Sequence, residues 1–249
     1  MRYTEENRRK RGKRKKKRYL LKIGIAVLAL VGLYYLAMSS FFDIETITVE
    51  NNSYFTSAQV AELSGVKKGD NLFKTRTGPV REQLTQNPYI REAEVQRVLP
   101  DEIHITVDER SEDVVVRAEN AWLVVDYDGV ILRSTDDPPI LPAVDGLTAV
   151  NPEPGKALKV KEADMLAPCL DFFAYMEEHD FYIKRLDTGG VITKAYIFDN
   201  LICEGDLKNI EKSVENLKKV VADLSAKGVE RGTISVNGSG TCSFTPELE

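Results

Sequence analysis

The stretch 23-IGIAVLALVGLYYLAMSSFF-42 decides how the rest of the chain is read. Its twenty residues carry no charge. As a helix rising about 1.5 Å per residue it would span about 30 Å, the thickness of a bilayer's hydrocarbon core. Lipid offers no partner for backbone N–H and C=O groups, so a span of this kind is helical. KRGKRKKKRY (10–19) ends three residues before it, and immediately after it Asp43 and Glu45 open an acidic, mixed sequence.

Charge sets the orientation. Residues 1–18 hold eleven Lys or Arg against Glu5 and Glu6, a net +9; the chain as a whole is −5, so the remainder carries −14. Basic residues flanking a span stay cytoplasmic. The expectation is a single-pass type II membrane protein with residues 1–22 inside, a span from Ile23 to Phe42, and everything after it outside. The basic tail suits anionic lipid headgroups of the inner leaflet. It lacks the aromatic or structured context of a nucleic-acid site, and no nucleic-acid partner is expected. A cleaved signal peptide is disfavoured, because its apolar region would be about 7–15 residues long and end in small residues.

Over the whole chain, 43% hydrophobic and 29% charged residues suit a folded portion beyond the span. Cys169, Cys203 and Cys242 make no CxxC pair and are too few for a disulfide framework. Ile47 and Val49 alternate as a strand. Thr56-Ser-Ala-Gln59 is a capping box that starts a helix at Ser57, with Val60 and Leu63 on its buried face and Gly65 at its end. Gly78-Pro79 starts a second helix with proline at the first position, and Asn87-Pro88 closes it. Ile90–Leu99 and Glu102–Glu109 form a hairpin, the second strand alternating Ile103, Ile105 and Val107 inward. The order β-α-α-β-β is a compact α+β unit.

These residues carry a resemblance. Phe42-x-Ile44-x-x-Ile47-x-Val49-x-Asn51, Gly69-x-Asn71-Leu72-Phe73, Asn87-Pro88-x-Ile90-x-x-Ala93-x-Val95 and Arg97-x-x-Pro100-x-x-Ile103-x-Ile105-x-Val107-x-Glu109-Arg110 resemble the POTRA domain of the FtsQ/DivIB cell-division family. Ser111-Glu112 stand where that family usually has proline close behind Glu-Arg. The resemblance implies an α+β fold: a POTRA domain over 43–110 and a mixed extracytoplasmic beta domain over 111–249, ending in a strand pair.

The second half fits that expectation. Val114–Val116 and Trp122–Asp126 read as strands, Asp126–Gly129 as a turn, and about 161–178 as a helix with Leu166, Leu170 and Phe173 on one face. Ile183–Asp187, Val191–Phe198 and Leu201–Glu204 read as strands. Leu207–Lys227 reads as one amphipathic helix on the sheet, since Ile210, Val214, Leu217, Val221 and Leu224 recur at helical spacing. Gly232–Val236 and Gly240–Thr245 pair across Asn237-Gly238.

No catalytic constellation is legible. His104 and His179 are in no metal-ligand spacing, Asp126/Asp128 lack the glutamate of a calcium loop, and Gly189-Gly190 lacks a phosphate loop's context. The expectation is a binding protein with no cofactor and no metal. An open sheet edge can be extended by another chain's strand. The resemblance implies a scaffold of the divisome at the division septum, linking early and late septation proteins. Its C-terminal strands would bind a small bitopic partner of the FtsB/DivIC type, itself joined to FtsL. Carried over, Thr233, Ile234, Ser235, Val236, Thr241, Cys242, Ser243 and Phe244 form the partner edge, and proline at Ser243 would remove a donor from it. Asn237-Gly238 stand where some lineages carry an aromatic residue, and Ser235 where an aspartate is usual. The competing readings are a membrane-anchored extracytoplasmic enzyme and a POTRA-type secretion or assembly module.

Overall fold

The computed structural model describes residues 3–118 and 121–247, with side chains from Tyr19 onward. The side chains of the basic run before Tyr19 lie outside the described residues. Two compact units form: residues 1–85 with 92–108, and residues 86–91 with 109–249.

In the first unit helix α1 (Tyr3–Ala37) contains the apolar span Tyr19–Ala37, none of which is buried against protein. A long apolar helix with no protein cover suits a single-pass membrane protein. The helix ends sooner than the sequence reading placed it: Phe42 lies past its end, in a 3-10 turn at Ser40–Phe42. The cause is local. Ser39 Oγ donates to Leu36 O at 2.6 Å, and the Asn71 amide donates to Ala37 O at 3.1 Å and Ser39 O at 3.3 Å. Those bonds satisfy carbonyls that a continuing helix would have used.

β1 (Thr46–Glu50), α2 (Ser57–Ser64), α3 (Thr77–Thr85), β2 (Ile90–Val98) and β3 (Glu102–Glu109) follow in the expected order. The capping box is complete: Gln59 N donates to Thr56 Oγ1 at 3.3 Å and Thr56 N to Gln59 Oε1 at 2.9 Å. α3 starts at Thr77, so Pro79 occupies its third position rather than its first. The first four helical N–H groups lack an internal acceptor, and proline costs no bond at either place. The sheet order is β1-β3-β2, with β1 and β3 parallel. Ile103, Ile105 and Val107 of β3 bury against Val60, Val80 and Leu84 from the helices, all at most 9% exposed.

The second unit is a nine-stranded mixed sheet. Its strands are β4 (Val114–Arg117), β5 (Trp122–Val125), β6 (Ile131–Thr135), β7 (Ala143–Asp145), β8 (Arg185–Asp187), β9 (Thr193–Tyr196), β10 (Asn200–Gly205), β11 (Arg231–Val236) and β12 (Cys242–Thr245). Their order is β12-β11-β10-β9-β8-β7-β4-β5-β6. The parallel pairs β7–β8 and β10–β11 need long crossovers, and helices supply them. Helix α4 (Ala163–Glu178) makes the first crossover, burying Leu170, Phe172, Phe173 and Met176.

The second crossover corrects the sequence reading. It is two helices, α5 (Leu207–Lys212) and α6 (Val214–Ala226), not one. Buried Ser213 turns its hydroxyl back to Asn209 O at 2.7 Å, and such back-bonding bends a helix. Leu217 and Leu224 still face the core. At the β4–β5 end, Asp126 is fully buried, accepts from Val130 N at 2.7 Å and pairs with Arg110 Nη1. Arg110 and Arg91 each also reach Asp128 at 3.0 Å.

Candidate partner-binding edge

The expected partner edge sits at one rim of the nine-stranded sheet. β12 pairs antiparallel with β11 in the register Thr233↔Thr245, Ile234↔Phe244, Ser235↔Ser243 and Val236↔Cys242. β10 lies on the far side of β11. Of these two strands β12 is the edge; Thr233, Ile234, Ser235 and Val236 belong to an interior strand whose both sides are already paired. Sequence could not show this, because the neighbour that covers β11 comes from some thirty residues upstream through a parallel crossover. Thr241 falls outside β12, in the loop.

The register identifies which main-chain groups face outward. Asn237 N donates to Thr241 O at 3.3 Å, making 237 and 241 a bonded pair. Opposed residues in an antiparallel ladder alternate between bonded and non-bonded. Ser243 and Thr245 thus spend their N–H and C=O on β11, and those of Cys242 and Phe244 point to the open side. Proline at Ser243 would break the sheet from within rather than trim its edge, a correction to the expectation above.

Side chains divide the same way. Ile234 and Val236 are buried, and Cys242 and Phe244 pack half-buried against the same core. Ser235, Ser243 and Thr245 are exposed on the opposite face and Thr233 is half-exposed there. The turn is wider than the expected Asn-Gly pair. Asn237 Oδ1 accepts from Ser239 N at 3.1 Å and Thr241 N at 3.0 Å, knitting a loop over 237–241. Cys242 is a free thiol, as are Cys169 and Cys203. Burial pushes the thiols of Cys169 and Cys203 up to about 12, out of the reactive range.

Other residues weighed for chemistry have structural partners. His104 Nε2 is 3.3 Å from Glu50 Oε2 across β1 and β3, and His179 Nδ1 is 2.8 Å from Tyr175 O at the end of α4. Asp126 and Asp128 are bound by arginines rather than poised for calcium. Among the described residues no group of three or more His, Cys, Asp or Glu could hold a metal. Sequence reasoning missed the Arg110–Asp126 pair. The Glu109-Arg110 motif flagged the arginine but gave no signal of its partner.

The architecture defines a class: a POTRA unit directly joined to an apolar N-terminal helix and followed by a sheet with an open terminal strand. The POTRA-domain family of FtsQ type matches residues 42–110. The cell division protein DivIB of Clostridium botulinum (strain Hall) is 23% identical, over 93% of both chains. DivIB of Clostridium acetobutylicum is 30% identical over 65% of this chain and 66% of its own. The cell division protein FtsQ of Syntrophotalea carbinolica is 31% identical over 49% of this chain and 44% of its own. The chain belongs to the FtsQ/DivIB family of cell-division proteins.

Proposed function

We propose that this protein is a bitopic, non-catalytic scaffold of the divisome that binds a partner by strand addition to β12. The four parts are a cytoplasmic tail (1–22), a span beginning at Ile23, a POTRA domain to residue 110 and a beta domain from 111 to 249. The N-terminus is cytoplasmic, following the basic flank, and the protein acts at the septum. By analogy with the family, the partner is an FtsB/DivIC-like bitopic protein that also engages an FtsL-like one. The observation that carries this reading is the outward main chain of Cys242 and Phe244 on a strand with no neighbour on that side among the described residues.

The test uses the full chain in nanodiscs and a DivIC-like ectodomain. Cys242→Pro removes one outward N–H, with Cys242→Ser as its control. Losing one main-chain bond to the partner, worth about 0.5–1.5 kcal/mol, with added strain at the edge, should weaken binding about tenfold relative to the control. Equal affinities for the two variants would refute strand addition here. A fluorescent fusion spread evenly over the envelope of dividing cells would refute the septal role.

A further inference from the structure

The end of the POTRA unit nearest the membrane helix carries a feature that the scaffold reading leaves unused. Phe41 is 64% exposed, Phe73 41%, Val98 40% and Leu99 63%. All four lie where the chain leaves α1. Phe73 stacks edge-on against Phe42 at 5.0 Å, and Phe42 against Phe41 at 5.0 Å. The β2–β3 turn, which holds Leu99, is tied to the start of β1 by Glu45 N donating to Asp101 O at 2.9 Å.

No slack separates this end from the helix. The Asn71 side chain caps Ala37 and Ser39, Leu72 N donates to Phe42 O at 2.7 Å, and Gly69 N donates to Ile44 O at 2.8 Å. The loop 67–76 is thereby held against the helix terminus. It exposes Lys67, Lys68, Lys74 and Arg76. Arg97 braces the same loop by donating to Leu72 O at 2.9 Å and Thr75 O at 2.8 Å. Asp70 is the one carboxylate within loop 67–76, so that loop is net positive; Asp43, Glu45, Asp101 and Glu102 lie beside it at the start of β1 and in the β2–β3 turn.

Length points the same way. From Ile23 to Ala37 the uncharged helix rises only about 21 Å, against a hydrocarbon core of about 30 Å. Counting down to Tyr19, with Lys22 snorkelling, gives about 27 Å. Apolar residues past Ala37 are needed to fill the outer edge of the core, and Phe41 and Phe73 stand there.

We propose that this end of the POTRA unit is a lipid-docking face, with Phe73 and Leu99 in the headgroup layer and its cations on lipid phosphates. The partner is an anionic bilayer surface. The unit is then held flat on the membrane by three contacts rather than by its helix alone.

This rests on the membrane-spanning reading, and the test separates the two. The full chain, with Trp122→Phe to clear its only tryptophan, goes into nanodiscs whose lipids are brominated high on the acyl chain. Single tryptophans replace Phe73, Leu99, Leu30 in the span, or Tyr54 beyond β1. Phe73→Trp and Leu99→Trp should be quenched at least twofold, and Tyr54→Trp should not. Leu30→Trp quenched with Phe73→Trp and Leu99→Trp unquenched would overturn the docking face and leave the span standing. Leu30→Trp unquenched in lipids brominated near the bilayer centre would overturn the span, and the docking face with it. Quenching at Leu99 should weaken when phosphatidylcholine replaces phosphatidylglycerol or when Lys67, Lys68 and Lys74 become Glu. Indifference to both would overturn the phosphate contacts.

Discussion

Gly232→Ala should detach β12 while leaving the rest of the second unit folded. Gly232 sits in β11 at φ +135°, a backbone conformation that L side chains rarely adopt. A Cβ there would lie 2.6 Å from Thr245 O and 2.6 Å from Phe244 Cε2, inside contact distance for both. Backbone strain of about 1–3 kcal/mol and overpacking of about 1–3 kcal/mol give a penalty of about 2–6 kcal/mol. Against it stand four short-strand hydrogen bonds worth about 0.5–1.5 kcal/mol each and a half-buried phenylalanine. Ordering four residues offsets much of that, at about 1–2 kcal/mol per residue. The net hold on β12 is then at most about 3 kcal/mol, no more than the penalty. β12 is cheaper to release than β11, which is paired on both sides. The three cysteines report the outcome, since Cys169 and Cys203 are buried in the core and Cys242 rides on β12. In the full chain, thiol labelling of Cys242 should speed up at least about tenfold, the change for about 1.4 kcal/mol. Cys169 and Cys203 should stay protected. Unchanged Cys242 labelling with unchanged melting would refute the strain argument; equal exposure of all three would refute the claim that β12 detaches alone.

Asp126→Ala should destabilise the second unit by about 1–3 kcal/mol, because it leaves the Val130 N–H without its buried acceptor and leaves Arg110 with Asp128 alone. Asp128→Ala, at a 56%-exposed side chain, should cost under about 1 kcal/mol; denaturant titration distinguishes the two. Glu112→Gln should flatten the acid limb of the stability profile. The Arg133 hydrogen bond, aided by Tyr89, holds the Glu112 carboxyl below its usual 4.5. Its contribution is full above pH 4.5 and is lost as pH falls through the depressed folded value. Asp113 beside it is shifted upward by burial and has the opposite sign, so its share of stability grows as pH falls toward 3.8. Melting temperatures of wild type and Glu112→Gln should therefore converge below pH 4.5, and a constant gap would sink the assignment. Thr56→Ala, which opens the capping box of α2, should cost the POTRA unit about 1 kcal/mol, read as a shift in its melting temperature.

What sequence made legible follows the range of the interactions involved. The Thr56–Gln59 box, the alternation of Ile103, Ile105 and Val107, and the turn at Asp126–Gly129 are decided within a few residues, and each lies where the sequence puts it. The break at Ser213 is also local, but a serine at helical spacing has no sequence mark to separate a solvent-facing hydroxyl from one turned back on the backbone. The end of α1 was misplaced because its cap comes from Asn71, 34 residues away from Ala37. Which of the expected edge residues lie on an open strand was not legible for a similar reason. β12 is terminal in both sequence and sheet, whereas the interior position of β11 depends on β10 and the crossover through α5 and α6.

If β12 takes a partner strand as proposed, the register also bounds which one. Strand addition takes affinity from main-chain bonds and specificity from alternate side chains. On the solvent face the rim offers Ser235, Ser243, Thr233 and Thr245, small hydroxyls that leave little to discriminate. On the core face it offers Phe244 and Cys242, both half-buried and backed by the apolar core under α6. A partner strand must therefore place its apolar residues in line with Phe244 and Cys242 and its polar ones in line with Ser243 and Thr245. A slip of one residue would turn every apolar side chain of the partner toward water. Under the proposed strand addition, selectivity would lie in the partner's alternation and register rather than in any single contact. Phe244→Leu should loosen it only modestly, while exchanging apolar and polar positions in the partner strand should abolish binding, as a peptide-exchange titration against the full chain would show.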